Sequence, residues 1–394
     1  MPRSQQKASR RPKPKRKAIP RNRGSGRPFA ASVWQSVPSL FAWLCGSVLA
    51  ALWLGLFLVV LGGGMMRLVA AGSAAPLVRP AMGGQIAGVS LPDPWLGVGS
   101  IPVAVVVENH VESRPTFGLE RARIVYEAPV EGGITRYLAI FDRDDLPEVI
   151  GPVRSARPYL IEWASEWLAV LWHSGGSPAA YQLFQTGAGG HVDEISALGR
   201  YFWRDRNRYP PHNLFTSGSA IREAFTELRL PIAGVPPALA WDEEPAEHRR
   251  EGPVHPAVRL SFRDPDYCVG YVYDLARDVY QRWLAGAPQV SATGEAISAR
   301  TVIVPIVSAR VIDREGRLNL ATKNGGIAHL FIHGEYEMAE WRWHQGKTRF
   351  VDSDGAVIAF PPGPIWITVV TAPEAVTLLP ADFSPPEAFR CAVD

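Results

Sequence analysis

Ile124-Val-Tyr-Glu127-Ala-Pro-Val130-Glu131-Gly132-Gly133-Ile134-Thr135-Arg136-Tyr-Leu-Ala-Ile-Phe141 is the stretch on which the reading of the fold turns. Two runs rich in β-branched and aromatic residues flank a Glu-Gly-Gly turn, the pattern of a β-hairpin. Strand alternation puts Ile134, Arg136, Leu138 and Ile140 on one face and Thr135, Tyr137, Ala139 and Phe141 on the other. Arg136 therefore has apolar neighbours and lies close to the turn.

Working outward, Ile101–Val107 reads as a buried strand that ends in the polar residues Glu108, Asn109 and His110. Gly151-Pro-Val-Arg154-Ser155-Ala-Arg157-Pro158-Tyr159 reads as a strand-to-helix turn, with Ser155 as candidate N-cap and a helix from about Pro158 to Trp167. Leu168–Trp172 is a further buried strand. It leads into His173-Ser174-Gly175-Gly176-Ser177-Pro178, where Ser177 can cap a helix that starts at Pro178. A glycine-rich turn at a helix N-terminus presents backbone N–H groups and favours an anion. Tyr209-Pro-Pro-His212-Asn213-Leu214 is irregular and proline-stiffened, and a helix is predicted from about Ser219 to Leu228.

These turns supply the candidate site. The ligand-binding candidates are Arg136, Arg154, Ser155, Arg157, Ser174, Gly175, Gly176, Ser177 and Asn213. The three arginines can make bidentate contacts to a carboxylate or phosphate. The competing reading pairs them with Glu127, Glu131 and Glu162 as ion pairs that hold loops together. For Asn213 the alternative is a cap for the next turn. Catalytic candidates are Glu127 and Glu131 as an acid–base couple, if roughly 5–10 Å apart, and His173 or His212 as a base. There is no nucleophile elbow, metal motif or nucleotide loop, so neither metal nor cofactor is expected.

The overall charge of +3 conceals an asymmetry. Residues 1–80 hold 13 of the 41 basic residues and no acidic one, leaving 28 basic against all 38 acidic residues in the remainder. The body is acidic, and nucleic acid is not an expected partner. Leu40–Leu61 is an almost unbroken apolar run, long enough at roughly 1.5 Å per residue to cross a hydrocarbon core of ~30 Å. Its positive flank predicts a cytoplasmic N-terminus, an extracytoplasmic body, and affinity of the basic tail for anionic inner-leaflet lipids. The alternative is a signal peptide cleaved near Ala74-Ala75, against which stand the length of the run and the proline that follows. Cys45 lies within the apolar run without a lipobox. Cys268 and Cys391 can pair in an oxidising compartment but make neither a disulfide framework nor a metal site.

The run of motifs resembles the YerB-like family of bacterial envelope proteins. The resemblance rests on Val103–Asn109, Arg114–Leu119, Ile124–Phe141, Ile150–Tyr159, His173–Pro178 and Pro211–Ser217, then on Tyr271–Asp274, Tyr280–Arg282 and Trp366–Val370. It spans about residues 100–372. It implies an N-terminal α/β domain, a layered ββα sandwich, followed by a β-rich domain, in a lipoprotein or anchored protein. It transfers no activity and no catalytic residue. In place of a lipid-modified cysteine this chain has the apolar span.

From Ala257 onward short strands and turns recur, as in a small sandwich or barrel. His329 and His333 share a strand face about 13 Å apart at roughly 3.3 Å per residue, too far for one ion. Trp341, Trp343 and Trp366 read as packing residues rather than a sugar-stacking platform. The expected organisation is α+β: basic cytoplasmic tail 1–37, transmembrane helix 38–62, linker 63–99, α/β domain 100–233, linker 234–256, mainly-β domain 257–372 and tail 373–394. The expected function is an extracytoplasmic binding protein for an anionic cell-wall polymer, a peptide or an envelope protein partner. A hydrolase or transferase acting on cell-wall glycan is the alternative.

Overall fold

Strand β1 (Pro102–Glu108) is buried along its whole length, as a β-branched run covered on both faces must be. Ala104 and Val106 enter one core, and Val103, Val105 and Val107 enter the other. The computed structural model describes residues 101–231, 240–241, 257–385 and 387–391. The expected basic tail, apolar span and both linkers lie outside these residues, apart from two residues of the second linker. Among the described residues no helix is long and apolar enough to cross a membrane.

The hairpin is present as β2 (Ile124–Pro129) and β3 (Thr135–Asp142). Gly132 and Gly133 in its turn have φ of 78° and 80°, which glycine adopts without strain. β1 pairs with β3 and sets Glu108 directly opposite Arg136. On the far side of β1, β4 (Val170–His173) and β5 (His191–Asp193) run parallel to it. Glu108, His173 and Asp193 therefore all stand at the carboxyl ends of their strands.

The sheet does not stop at β2. The C-terminal half contributes β9 (Thr301–Pro305), β10 (Gly326–Ile332), β11 (Glu335–His344), β12 (Lys347–Val351) and β13 (Ile365–Thr368). The ten strands run β12-β11-β10-β9-β13-β2-β3-β1-β4-β5, and β13 is parallel to both β2 and β9. A second sheet contains β6 (Ala257–Leu260), β7 (Val269–Asp274), β8 (Val279–Leu284) and β14 (Val376–Leu379). The fold is a mixed α/β region carrying a large mixed sheet, followed by a mainly antiparallel β region.

Helices α1 (Pro158–Glu166) and α2 (Pro178–Gln185) cover the face that holds Ala104, Leu138 and Ile140. Helix α3 (Gly218–Glu227) and the second sheet cover the other face, with Trp172, Tyr137, Tyr271 and Tyr280 between them. Each large side chain buried there contributes roughly 1.5–3 kcal/mol relative to exposure.

Several expectations need correction. The N-cap of α1 is Arg157, not Ser155, because Pro158 supplies the first helical residue. Ser177 does cap α2, accepting from Ala180 N at 3.2 Å. The expected tail 373–394 contains β14, an edge strand paired with β6. It also places Phe389 over Gly270, where a Cβ would meet the ring at 2.2 Å, so this strand position needs glycine. Cys391 is disulfide-bonded to Cys268 across 123 residues. Trp341 and Trp366 are buried, whereas Trp343 is 39% exposed with Lys323 Nζ 5.5 Å from its ring.

Candidate functional site

The loop from Gly151 to Arg157 is stitched across the ends of β1 and β4. Arg154 N donates to Val106 O at 2.9 Å, Ser174 N to Arg154 O at 3.0 Å, and Ala156 N to Gly175 O at 3.0 Å. This brings Arg154 and Arg157 to the strand end where β3 already holds Arg136. Arg136 Nη1 donates to Ser155 O at 2.7 Å, and Arg157 Nη1 to Ala156 O at 2.8 Å. The Arg157 Nε and Nη2 atoms form a two-pronged ion pair with Glu131. Arg154 Nε lies 2.8 Å from Glu108 Oε1.

Three guanidinium groups thus share two carboxylates. No carboxylate lies within ion-pair distance of Arg136 among the described residues. Burial, and then the neighbouring Arg157 charge, pushes its pKa down to about 10. Burial pushes the Glu131 carboxyl upward, but the Arg157 hydrogen bond and charge outweigh it and hold it below the usual range. Glu131 is therefore an ionised partner of Arg157 and not a proton donor.

The glycine turn corrects the expectation that it offers its amides to a ligand. Gly175 N donates to Asp193 Oδ1 at 2.8 Å, and Ser177 N donates to Ala156 O at 3.2 Å. The Ser174 hydroxyl is taken by Glu194 Oε2 at 2.8 Å, and Gly176 is bridged to Ala156. Asp193, which also accepts from Tyr181 at 2.8 Å, is the chain's own anion at this turn. The Ser155 hydroxyl likewise donates to Ser174 O at 2.8 Å.

His173 is fully buried, its Nδ1 at 2.8 Å from Gly175 O and its Nε2 at 3.0 Å from His191 Nδ1. Phe184 stacks on both rings. Burial pushes the His173 pKa down to about 4, against the opposing pull of Asp193. It is a neutral bridge buried within the core, so its expected role as a base is corrected.

Glu127 is corrected too. It lies on the opposite sheet face from the arginine cluster, fully buried, with Oε2 at 2.5 Å from Arg282 Nη2 of β8. Thr135 Oγ1 donates to its other oxygen at 2.7 Å. The Arg282 guanidinium lies 4.6 Å from the Trp366 ring centroid. Glu127 and Glu131 therefore do not form an acid–base couple, since one points into the interface between sheets and the other to the helix side.

Asn213 is spent on loop closure, donating to Asp205 O at 3.0 Å and accepting from Arg204 at 3.2 Å. His212 does reach the strand ends, with Nδ1 at 3.0 Å from Glu108 Oε2. Glu108, bridging Arg154 and His212, is the residue missed as a site member. Its only signal was its place just after a buried strand. Asp193 and Arg282 had no comparable signal.

Two hollows lie elsewhere. A cavity of about 20 Å³ between α1 and the sheet is lined by Tyr126, Trp163 and Trp341 and holds no charged side chain. An open depression of about 550 Å³ is lined by Arg143, Arg222 and Arg229. Arg143 follows the end of β3 that pairs with the start of β1, so this depression is at the other end of the strand from Glu108. The cluster is favoured as the site because Arg136, Arg157 and Glu108 are buried and face their charged neighbours, whereas Arg143 is paired with its neighbour Asp144.

Fold and site define an α+β protein with a polar, arginine-rich cluster at the carboxyl ends of three parallel strands, where α/β sheets commonly bind ligands. The chain belongs to the DUF3048 family. Residues 96–230 match its N-terminal domain and residues 258–367 its C-terminal domain, both described as of unknown function. It is 33% identical over 278 residues to the Bacillus subtilis (strain 168) protein named "Putative lipoprotein YerB", a match covering 70% of this chain and 83% of that one. The crystal structure of the YerB protein from Bacillus subtilis superposes with a TM-score of 0.64 at 31% identity, covering 71% of this chain and 94% of the other.

Proposed function

We propose that this chain is an envelope protein whose strand-end arginines bind a small anionic group, a phosphate or carboxylate carried by a cell-wall polymer or peptide. The observation that carries the reading is the surplus of guanidinium groups. Arg136, Arg154 and Arg157 crowd one loop with two carboxylates between them, and Arg136 has none within ion-pair distance. An incoming anion would relieve that imbalance with charge-assisted hydrogen bonds. The extracytoplasmic location is supported by the name of the Bacillus relative, by the Cys268–Cys391 disulfide, and by the basic segment that precedes the apolar run.

The hydrolase or transferase alternative loses support, since Glu127, Glu131 and His173 are each engaged in ion pairs or core hydrogen bonds. Calorimetric titration with a poly(glycerol phosphate) and with a peptide bearing a free carboxyl terminus tests the binding reading. Arg154 keeps a quarter of its side chain exposed, so Arg154→Ala should weaken binding about tenfold or more, the scale of a lost charged hydrogen bond. Arg222→Ala, in the distant depression, should leave it unchanged. Equal binding by wild type and Arg154→Ala, or binding by neither, would remove the proposal.

A further inference from the structure

Beside the arginine cluster, and independent of the anion-binding reading, stands a group of side chains whose chemistry is that of a metal centre. His110 follows β1 after Asn109 and caps the single helical turn Val111–Ser113, which carries Glu112. His212 arrives from the loop before α3. The two imidazoles stack with centroids 4.5 Å apart and planes 15° from parallel. One ligand atom from each of His110, Glu112 and His212 lies within 4.8 Å of the other two.

Glu108 is almost fully buried, and its Oε2 lies 3.0 Å from His212 Nδ1, an ion-pair contact without hydrogen-bond geometry. His212 Nε2 lies 3.2 Å from Glu112 Oε2. A cation held between them would take one ligand atom from each. The lone pair of His110 Nδ1 is taken by Glu112 N at a long 3.3 Å, a contact that coordination through that nitrogen would replace. A buried carboxylate behind a histidine is the arrangement that aligns metal-binding imidazoles elsewhere.

We propose that His110, Glu112 and His212 bind one divalent cation of the zinc class, with Glu108 as the positioning carboxylate behind His212. Two imidazole nitrogens and one carboxylate oxygen suit zinc and its neighbours better than magnesium or calcium, and leave a fourth position for water or an anion. Tetrahedral bonds of ~2.0–2.1 Å need the ligand atoms about 3.4 Å apart. The group therefore has to close by an ångström or so. Glu112, with 68% of its side chain exposed, is free to make that movement. Because Glu108 also contacts Arg154, the ion would sit one carboxylate away from the arginine cluster.

The test uses the full chain in phosphate-free buffer, so that it does not depend on anion binding. Zn²⁺ is titrated in competition with a chromogenic chelator, and the visible spectrum with Co²⁺ reports the geometry. The expected result is one Zn²⁺ per chain and an intense tetrahedral Co²⁺ band. His110→Ala and His212→Ala should each weaken binding at least tenfold. Glu112→Gln, an exposed substitution that leaves the fold intact, should weaken it severalfold, so a misfolded histidine variant does not blunt the test. His344→Ala should bind as the wild type does. Absence of stoichiometric Zn²⁺ binding by the wild type, or undiminished binding by Glu112→Gln together with either folded histidine variant, would overturn the proposal.

Discussion

Glu127 and Arg282 show how much one residue pair can do in this fold. Each is at 0% side-chain exposure, and together they tie β2 of the large sheet to β8 of the second sheet. Taking one partner away leaves an uncompensated charge in the interior, at a cost of about 3–5 kcal/mol. We expect Arg282→Met to destabilise by about that amount, and Glu127→Leu combined with Arg282→Met to cost clearly less, because the double variant strands no charge. Equilibrium unfolding in urea measures both. A double variant as damaged as the single one would mean that packing around Trp366, not the charge, is what was lost. The hairpin makes Glu127 visible in the sequence, but its partner lies 155 residues downstream and no periodicity links them. That distance is why the sequence suggests Glu131 or the loop arginines as its partner instead.

At the scale of elements, β4 and α2 are legible in type and in the Ser177 cap, whereas β5 has no sequence expectation and the turn between β4 and α2 reads wrongly. A Ser-Gly-Gly-Ser turn before a helix has the composition of an anion cradle. Only the parallel pairing of β5 brings Asp193 to Gly175 N and fills the position from within. The same packing buries His173 and lowers its pKa to about 4, from 6.5 when unfolded. His191 is shifted in the same direction, also mainly by burial. A depressed histidine pKa means that the unfolded chain takes up the proton first as pH falls. Its stabilisation is thus fully present above about pH 6.5 and is lost progressively toward pH 4. Thermal melts across that window should fall less steeply for His173→Gln than for the wild type. Parallel slopes would show that this imidazole is not held neutral.

For the whole molecule, the order of α/β region and β region follows from the sequence because strand and helix periodicities differ. That the two regions share a sheet does not. β13 is separated from β2 by more than two hundred residues, yet it inserts between β2 and β9, and nothing in a local pattern specifies a partner at such distance. The shared sheet, with α1 and α2 on one face and the second sheet on the other, makes β1, β3 and β4 a rigid base for the loop Gly151–Arg157. Arg136, Arg154 and Arg157 can therefore keep a like-charged arrangement that a flexible loop would relax. The most direct test is an NMR titration that follows the arginine Nε–Hε signals while a poly(glycerol phosphate) is added. Saturable shifts are expected at Arg136, Arg154 and Arg157, with Arg282 and Arg222 unmoved. Shifts confined to surface arginines such as Arg222, or no saturable shift at the cluster, would contradict that expectation.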